Sequence, residues 1–200
     1  MKKIYFLAPV LMAMTFWVFA YTDHNVESAN FIATKWVIND HSQNPLDYNL
    51  DFNITRREML KVTMKLSGKD VVDTCSGKFS DMPSSDWGCK YAEEALSQGF
   101  IAANATYRPN DNVTQIEALK MIMKAKWLER DAADDWRAGY VSKAQTEDIV
   151  DLGYFDYNQM ATRGWIFSSS ARTYSDFTYE AADSNLDPDV EDLINSLLDL

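Results

Sequence analysis

The chain has 200 residues, 46% of them hydrophobic and 13% aromatic, which is enough apolar surface for a folded core and excludes global disorder. Its formal net charge of −11 leaves no general basic face for phosphates, so nucleic acid is excluded as a partner. The same charge disfavours an electrostatic grip on an anionic membrane.

In chain order, residues 1–20 read as an export signal. Met1-Lys2-Lys3 is a short basic n-region, Ile4 to Ala20 carries no charge, and Val18-Phe19-Ala20 puts small residues where a signal peptidase reads them. An uncleaved anchor is the competing reading, because the uncharged run from Ile4 to Thr22 is just long enough to span a bilayer. No cysteine sits near the cleavage point, so no lipid anchor is expected.

The segment "SANFIATKWVIND" (28–40) predicts a helix that stops near Trp36, followed by an aromatic loop at Tyr48. "NITRREMLKVTMK" (53–65) predicts a second helix, and much of it returns as "NVTQIEALKMIMK" at 112–124. Thr55-x-x-Glu58 and Thr114-x-x-Glu117 have the form of capping boxes, in which the threonine hydroxyl meets the N3 amide and the glutamate reaches back. Lys61/Lys65 and Lys120/Lys124 make one basic stripe on each helix, with Glu58 and Glu117 placed to pair with the first lysine.

Before the second box, "WGCKYAEEALSQGFIAAN" (87–104) predicts an amphipathic helix ended by Gly99, then a loop with Tyr107 and Pro109. A third, eroded unit lies at 141–167: a helix, a stop at Gly153-Tyr154-Phe155, and Thr162-Arg163 opening another helix. Trp165 stands there in place of the glutamate. The unit is thus helix, stop, aromatic loop, capped helix, written three times. One such unit cannot bury its apolar face alone, so a stacked or pseudo-symmetric array is expected. Beyond Arg172 there is no Lys or Arg; "LDPDVEDLINSLLDL" predicts a terminal acidic helix with Asp187 as N-cap and Pro188 at N1.

The two cysteines, Cys75 and Cys89, read as one disulfide in an oxidising compartment, and no histidine lies near them to complete a zinc site. No catalytic motif is present: there is no G-x-S-x-G, no G-x-x-x-x-G-K and no H-E-x-x-H. No enzyme activity, metal or cofactor is expected. The five tryptophans after the leader, Trp36, Trp87, Trp127, Trp136 and Trp165, are expected in the core rather than as sugar platforms.

The string "FSDMPSSDW…YAEEALSQGFI…YRPNDNVTQIEALKMI" (79–122) resembles a repeat of the S-layer homology (SLH) family. Phe79, Asp81, Trp87, Gly99, Ile101, Tyr107, Pro109, Thr114 and Glu117 fall on that family's pattern. The first unit carries Ile54-Thr55-Arg56-x-Glu58, and the third only Thr162-Arg163 with the Gly153 turn. The resemblance implies a mainly α fold: a pseudo-threefold helical bundle of three helix-loop-helix repeats, 26–68, 79–127 and 135–172. An acidic tail with its terminal helix (173–200) would follow.

It further implies non-covalent binding of cell-wall polysaccharide in grooves between repeats, and a place at the cell surface or envelope. Carried over, the ligand-binding positions are Arg56, Gln115 and Arg163, each beside its cap threonine, Thr55, Thr114 and Thr162. A guanidinium at a helix N-terminus is an anion site in its own right. From the residues alone, Arg56 and Arg163 read as solvated helix-start residues and the threonines as structural caps; the family pattern is what turns the reading to binding. The rival reading is a diverged protein-interaction module of the envelope that no longer binds glycan, with a protein partner recruited through the C-terminal helix.

Overall fold

The computed structural model describes residues 24–179. The export signal (1–20) and the terminal helix opened by Asp187 lie outside the described residues. The compact unit is His24–Phe177. It contains six α-helices: α1 His24–Thr34, α2 Arg56–Ser67, α3 Cys89–Ser97, α4 Gln115–Ala125, α5 Trp136–Thr146 and α6 Arg163–Ala171, with a 3-10 turn at Pro45–Tyr48 before α2. Among the described residues there is no strand, so the chain is mainly helical.

Helices α2 and α4 start as expected. Thr55 and Thr114 are extended N-caps whose side chains accept from the amides of Glu58 and Glu117, and both capping boxes are complete. Thr162 caps α6 in the same way through the Trp165 amide, without the returning carboxylate. Neither Glu58 nor Glu117 forms the expected ion pair with Lys61 or Lys120. The return bond of the box turns each carboxylate towards its own cap, Glu58 Oε2 accepting from Thr55 N at 2.8 Å and Glu117 Oε2 from Thr114 N at 3.1 Å.

The three cap segments are tied to one another. Val113 N donates to Ile54 O, Ala161 N to Val113 O and Ile54 N to Ala161 O, at 3.1, 3.0 and 3.2 Å, so the residues just before the caps form a closed ring of hydrogen bonds. All three are buried. Outside this ring each N1 amide donates to a neighbouring loop carbonyl: Arg56 to Asp111, Gln115 to Gln159 and Arg163 to Phe52. The amides a helix start normally leaves open are therefore already satisfied at N1.

Around the ring, each helix of the first kind packs on a capped helix from another unit: α1 on α6, α3 on α2, and α5 on α4, while α4 also packs on α2 and α6. One apolar cluster joins Ile32, Tyr48, Ile54, Met59, Leu60 and Phe167; a smaller one joins Leu119, Met123, Tyr140 and Ile149 between α4 and α5, and Trp165 touches both. Each fully buried aliphatic side chain contributes about 1.5–3 kcal/mol.

The first helix of each unit ends alike. Val37 N returns to Ile32 O and Phe100 N to Ala95 O, with Trp36 (φ 61°) and Gly99 (φ 73°) in the left-handed region. In the third unit the matching residue is Asp148 (φ 55°), where Ile149 N returns to Ala144 O. The expected stop at Gly153 is therefore displaced into the following loop. Aspartate tolerates this backbone because its short polar side chain bonds locally, and here Arg172 pairs with both Asp148 and Asp151.

Cys75 and Cys89 form the expected disulfide, with Cα atoms 5.9 Å apart. One turn into α3, Glu93 accepts from the Ser76 and Lys78 amides, at 3.0 and 2.9 Å, so the connecting segment is held twice. At the other end, residues placed in the acidic tail belong to the compact unit: Tyr174 and Phe177 pack on Phe31 of α1, and Asp176 pairs with Lys35 at 2.6 Å.

Candidate ligand-binding grooves

The positions expected to bind ligand occupy matched places at the helix starts. Arg56, Gln115 and Arg163 are the N1 residues of α2, α4 and α6. Both arginines reach across to the next loop aromatic. Arg56 Nε donates to Tyr107 O at 3.0 Å, and Arg163 Nε donates to Tyr48 O at 2.7 Å. Each therefore has a structural role, fixing the neighbouring loop, that the sequence did not suggest. Thr55, Thr114 and Thr162 lie beside them with their hydroxyls engaged in capping.

Past that shared bond the arginines diverge. Arg56 Nη1 lies 2.7 Å from Glu117 Oε1, its guanidinium stacks on the Tyr107 ring at 4.8 Å, and its side chain keeps only 14% exposure. Tyr107 is held from both sides: its hydroxyl donates to Arg56 O at 3.0 Å, and burial pushes the phenol well above its usual range. Asp81 completes the loop by accepting from the Tyr107 and Arg108 amides at 2.8 and 2.7 Å.

Arg163 has no carboxylate within ion-pair distance among the described residues. Burial draws it below its ordinary value, while the Glu58 carboxylate pulls the other way at longer range. A guanidinium stays protonated under either influence. The difference leaves Arg163 as positive charge that the protein does not neutralise directly.

Two grooves follow from this arrangement. The Arg163 groove has a volume of about 710 Å³ and is walled by Trp36, Lys61, Lys65, Trp87 and Tyr91, with Glu58 and His41 also on its lining. The Arg56 groove has about 220 Å³ and is lined by Glu117, Lys120, Phe100 and Trp136. Lys61 and Lys65, read as a solvated stripe, thus face a groove that already holds an arginine. In the smaller groove burial lowers Lys120, and the nearby Lys124 adds to the effect. At the third position Gln115 brings no charge, and Trp165 packs against Phe155 with ring centres 6.2 Å apart.

The tryptophans depart from expectation. Trp36 is 85% exposed, and Trp87, Trp127 and Trp136 are 47%, 61% and 40% exposed, so only Trp165 is drawn inward. The core is filled by the aliphatic, methionine and alanine faces of α2 and α4, leaving Trp36, Trp87 and Trp136 on groove linings and Trp87, Trp127 and Trp136 each under a cation. Arg57 lies over Trp87 at 5.2 Å and pairs with Asp86 at 2.8 Å, which fixes Trp87 at the groove edge. Gly88 is required beside it, since a Cβ there would come within 2.4 Å of the Arg57 side chain. Sequence reasoning named Trp36 and Trp87 but expected them in the core, and it did not single out Arg57.

Comparison with known proteins fits this geometry. Residues 78–119 match the S-layer homology domain family. The chain is 27% identical over 126 residues to the "Middle cell wall protein" of Brevibacillus brevis, covering 60% of this chain and 12% of that one. It is 25% identical over 123 residues to a "Cell surface protein" of Thermoanaerobacter kivui, covering 58% of this chain and 16% of the relative. An 80-residue stretch is 35% identical to an "Amylopullulanase" of Thermoanaerobacterium thermosulfurigenes, covering 39% of this chain and 4% of the enzyme. The match thus spans a small part of each of these longer proteins. Among the described residues no helix is long and apolar enough to cross a membrane.

Proposed function

We propose that the chain is an exported cell-envelope protein whose SLH region holds anionic cell-wall glycan non-covalently, in an anchoring or structural role. On this reading units 26–68, 79–127 and 135–172 form a pseudo-threefold triad, the third diverged. The closed ring of hydrogen bonds through Ile54, Val113 and Ala161 and the matched helix stops support that arrangement.

The observation that carries the binding reading is the Arg163 groove. A chain with net charge −11 has no general attraction for an anionic polymer, so attraction must be local. Arg163, Lys61 and Lys65 provide it, while Trp36 and Trp87 supply faces on which sugar rings can stack. Arg56, Gln115 and the cap threonines then hold the rims of the grooves in register.

The test is co-sedimentation of the chain lacking residues 1–20 with purified wall sacculi, wild type against Arg163→Ala. Pelleting by the wild type and its loss in a folded variant supports the reading. If neither pellets, or both pellet alike, glycan binding through this groove is wrong.

A further inference from the structure

Cys75 and Cys89 are joined in the structure, and the fold places a third donor beside them. Among the described residues, one ligand atom from each of Cys75, Cys89 and Glu93 lies within 4.8 Å of the other two. Cys89 is the first residue of α3 and Glu93 stands one turn further on, so the two side chains share a helix face. Cys89 Sγ is 3.9 Å from Glu93 Oε1. The sequence offers no histidine to complete a zinc site, but the carboxylate can take that place.

The Glu93 carboxylate is held in position by the loop. Oε1 accepts from the Ser76 and Lys78 amides at 3.0 and 2.9 Å and from Ser76 Oγ at 2.9 Å. Ser76 reaches Oε2 as well, at 3.1 and 3.0 Å, so one oxygen can keep the loop while the other meets an ion. The two amides converge because Gly77 between them is left-handed, with φ 72°. Hydrogen bonds of this kind orient a ligating carboxylate, and the start of α3 favours a thiolate at Cys89. Cys89 is buried while Cys75 and Glu93 are half-buried, which leaves one side of the cluster open to water.

We infer that the chain with Cys75 and Cys89 reduced binds one thiophilic divalent cation, Zn²⁺ by its donor set, through the two thiolates and Glu93. A tetrahedral Zn²⁺ with bonds of about 2.3 Å to sulfur and about 2.0 Å to oxygen holds those atoms about 3.5 Å apart, close to the spacing of Cys89 and Glu93. Binding releases one proton from each thiol, and water takes the fourth position. Ion and disulfide are then alternative clasps on the same loop. A chain exported unfolded emerges with its cysteines as thiols, and the ion holds the loop until they are oxidised. That setting rests on the export reading; the site itself does not.

The experiment adds Co²⁺, a coloured stand-in for Zn²⁺, to the chain lacking residues 1–20, reduced with a phosphine under nitrogen. One Co²⁺ per chain gives thiolate-to-cobalt charge-transfer absorption with the visible bands of a tetrahedral ion, and Zn²⁺ bleaches both. The oxidised chain gives neither. Glu93→Gln, which can still accept the loop amides, binds on the order of tenfold more weakly. Oxidised glutathione closes the Cys75–Cys89 bond, taking two electrons and yielding two glutathione thiols, on the order of tenfold more slowly with Zn²⁺ bound than without. Absence of the charge-transfer band, an ion shared by two chains, a reduced chain still unfolded with the ion present, or Glu93→Gln binding as tightly as the wild type overturns the site. Equal oxidation rates with and without Zn²⁺ overturn its role as the alternative clasp. None of these results bears on the glycan reading.

Discussion

Arg56 and Glu117, 61 residues apart in sequence, meet with Nη1 and Oε1 2.7 Å apart, and the guanidinium keeps its Nε for the Tyr107 carbonyl. The pair joins the start of α2 to the start of α4 and neutralises the arginine inside the protein. Arg163 makes the matching carbonyl bond, to Tyr48, without the ion pair.

The two arginines should therefore separate on mutation. Arg56→Ala leaves the Glu117 Oε1 and the Tyr107 carbonyl short of their shared partner, and should cost about 2–3 kcal/mol, the lower end for a broken buried pair because Glu117 is partly solvated. Urea unfolding followed by far-UV circular dichroism measures this. Arg163→Ala gives up a single carbonyl bond, with an expected cost of about 1 kcal/mol, but should abolish pelleting with wall sacculi.

Thr114→Ala removes the acceptor for the Glu117 amide and one half of the box. The expected loss is about 1 kcal/mol, and Thr114→Ser should restore most of it. A lowered denaturation midpoint with an unchanged slope is the result that fits; no change would mean that the ring bonds alone hold the helix start.

The disulfide closes a short loop, with a sequence separation of 14. By the chain-entropy model the Cys75→Ser/Cys89→Ser variant should be about 3 kcal/mol less stable than the oxidised protein. Because Glu93 holds the same segment through backbone amides, the variant should still fold. Comparing guanidinium midpoints with and without reductant tests both statements.

Acid should loosen the Tyr107 loop. Desolvation raises Asp81, but the Tyr107 and Arg108 amides outweigh it and hold the carboxyl below its ordinary value. A depressed folded value means the stabilisation is fully present above the unfolded carboxylate range, near pH 3.9, and is lost as pH falls through the folded value. Wild-type stability should fall in that acid window. Asp81→Asn should start lower and show a shallower decline over the same window, measured as urea midpoint against pH.

Trp36 holds a left-handed backbone with its side chain almost fully in water. Trp36→Gly relieves a backbone cost of up to about 1 kcal/mol while giving up little burial. It should raise the unfolding midpoint and weaken retention by wall sacculi. A variant that is less stable would show that the indole contributes to the fold instead.

The parts of this fold legible in sequence are the local ones. The boxes at Thr55/Glu58 and Thr114/Glu117 depend on residues three apart, and the disulfide followed from there being two cysteines in an exported chain. The site was half legible: the N1 positions could be named, but not what they touch, because Glu117 and Tyr48 are brought to Arg56 and Arg163 by packing between distant units. Asp148 was missed because glycine is the ordinary left-handed residue and Gly153 stood nearby. The tryptophans were misplaced because aromatic size argues for burial, whereas here two of them form groove walls beside Arg163.

The bond from Arg163 to Tyr48 spans 115 residues, and α1 rests against α6, the last helix of the compact unit. Closure of the ring therefore waits for the third cap segment. A growing or threading chain that has delivered only its first two units holds α1 without α6 against it, and the Arg163 groove still lacks Arg163 and Phe167. Assembly is accordingly a late, long-range event of high contact order, slower than formation of its separate helices. On the export reading proposed above, a chain threaded unfolded through a membrane would complete the Arg163 groove only once its third unit had emerged.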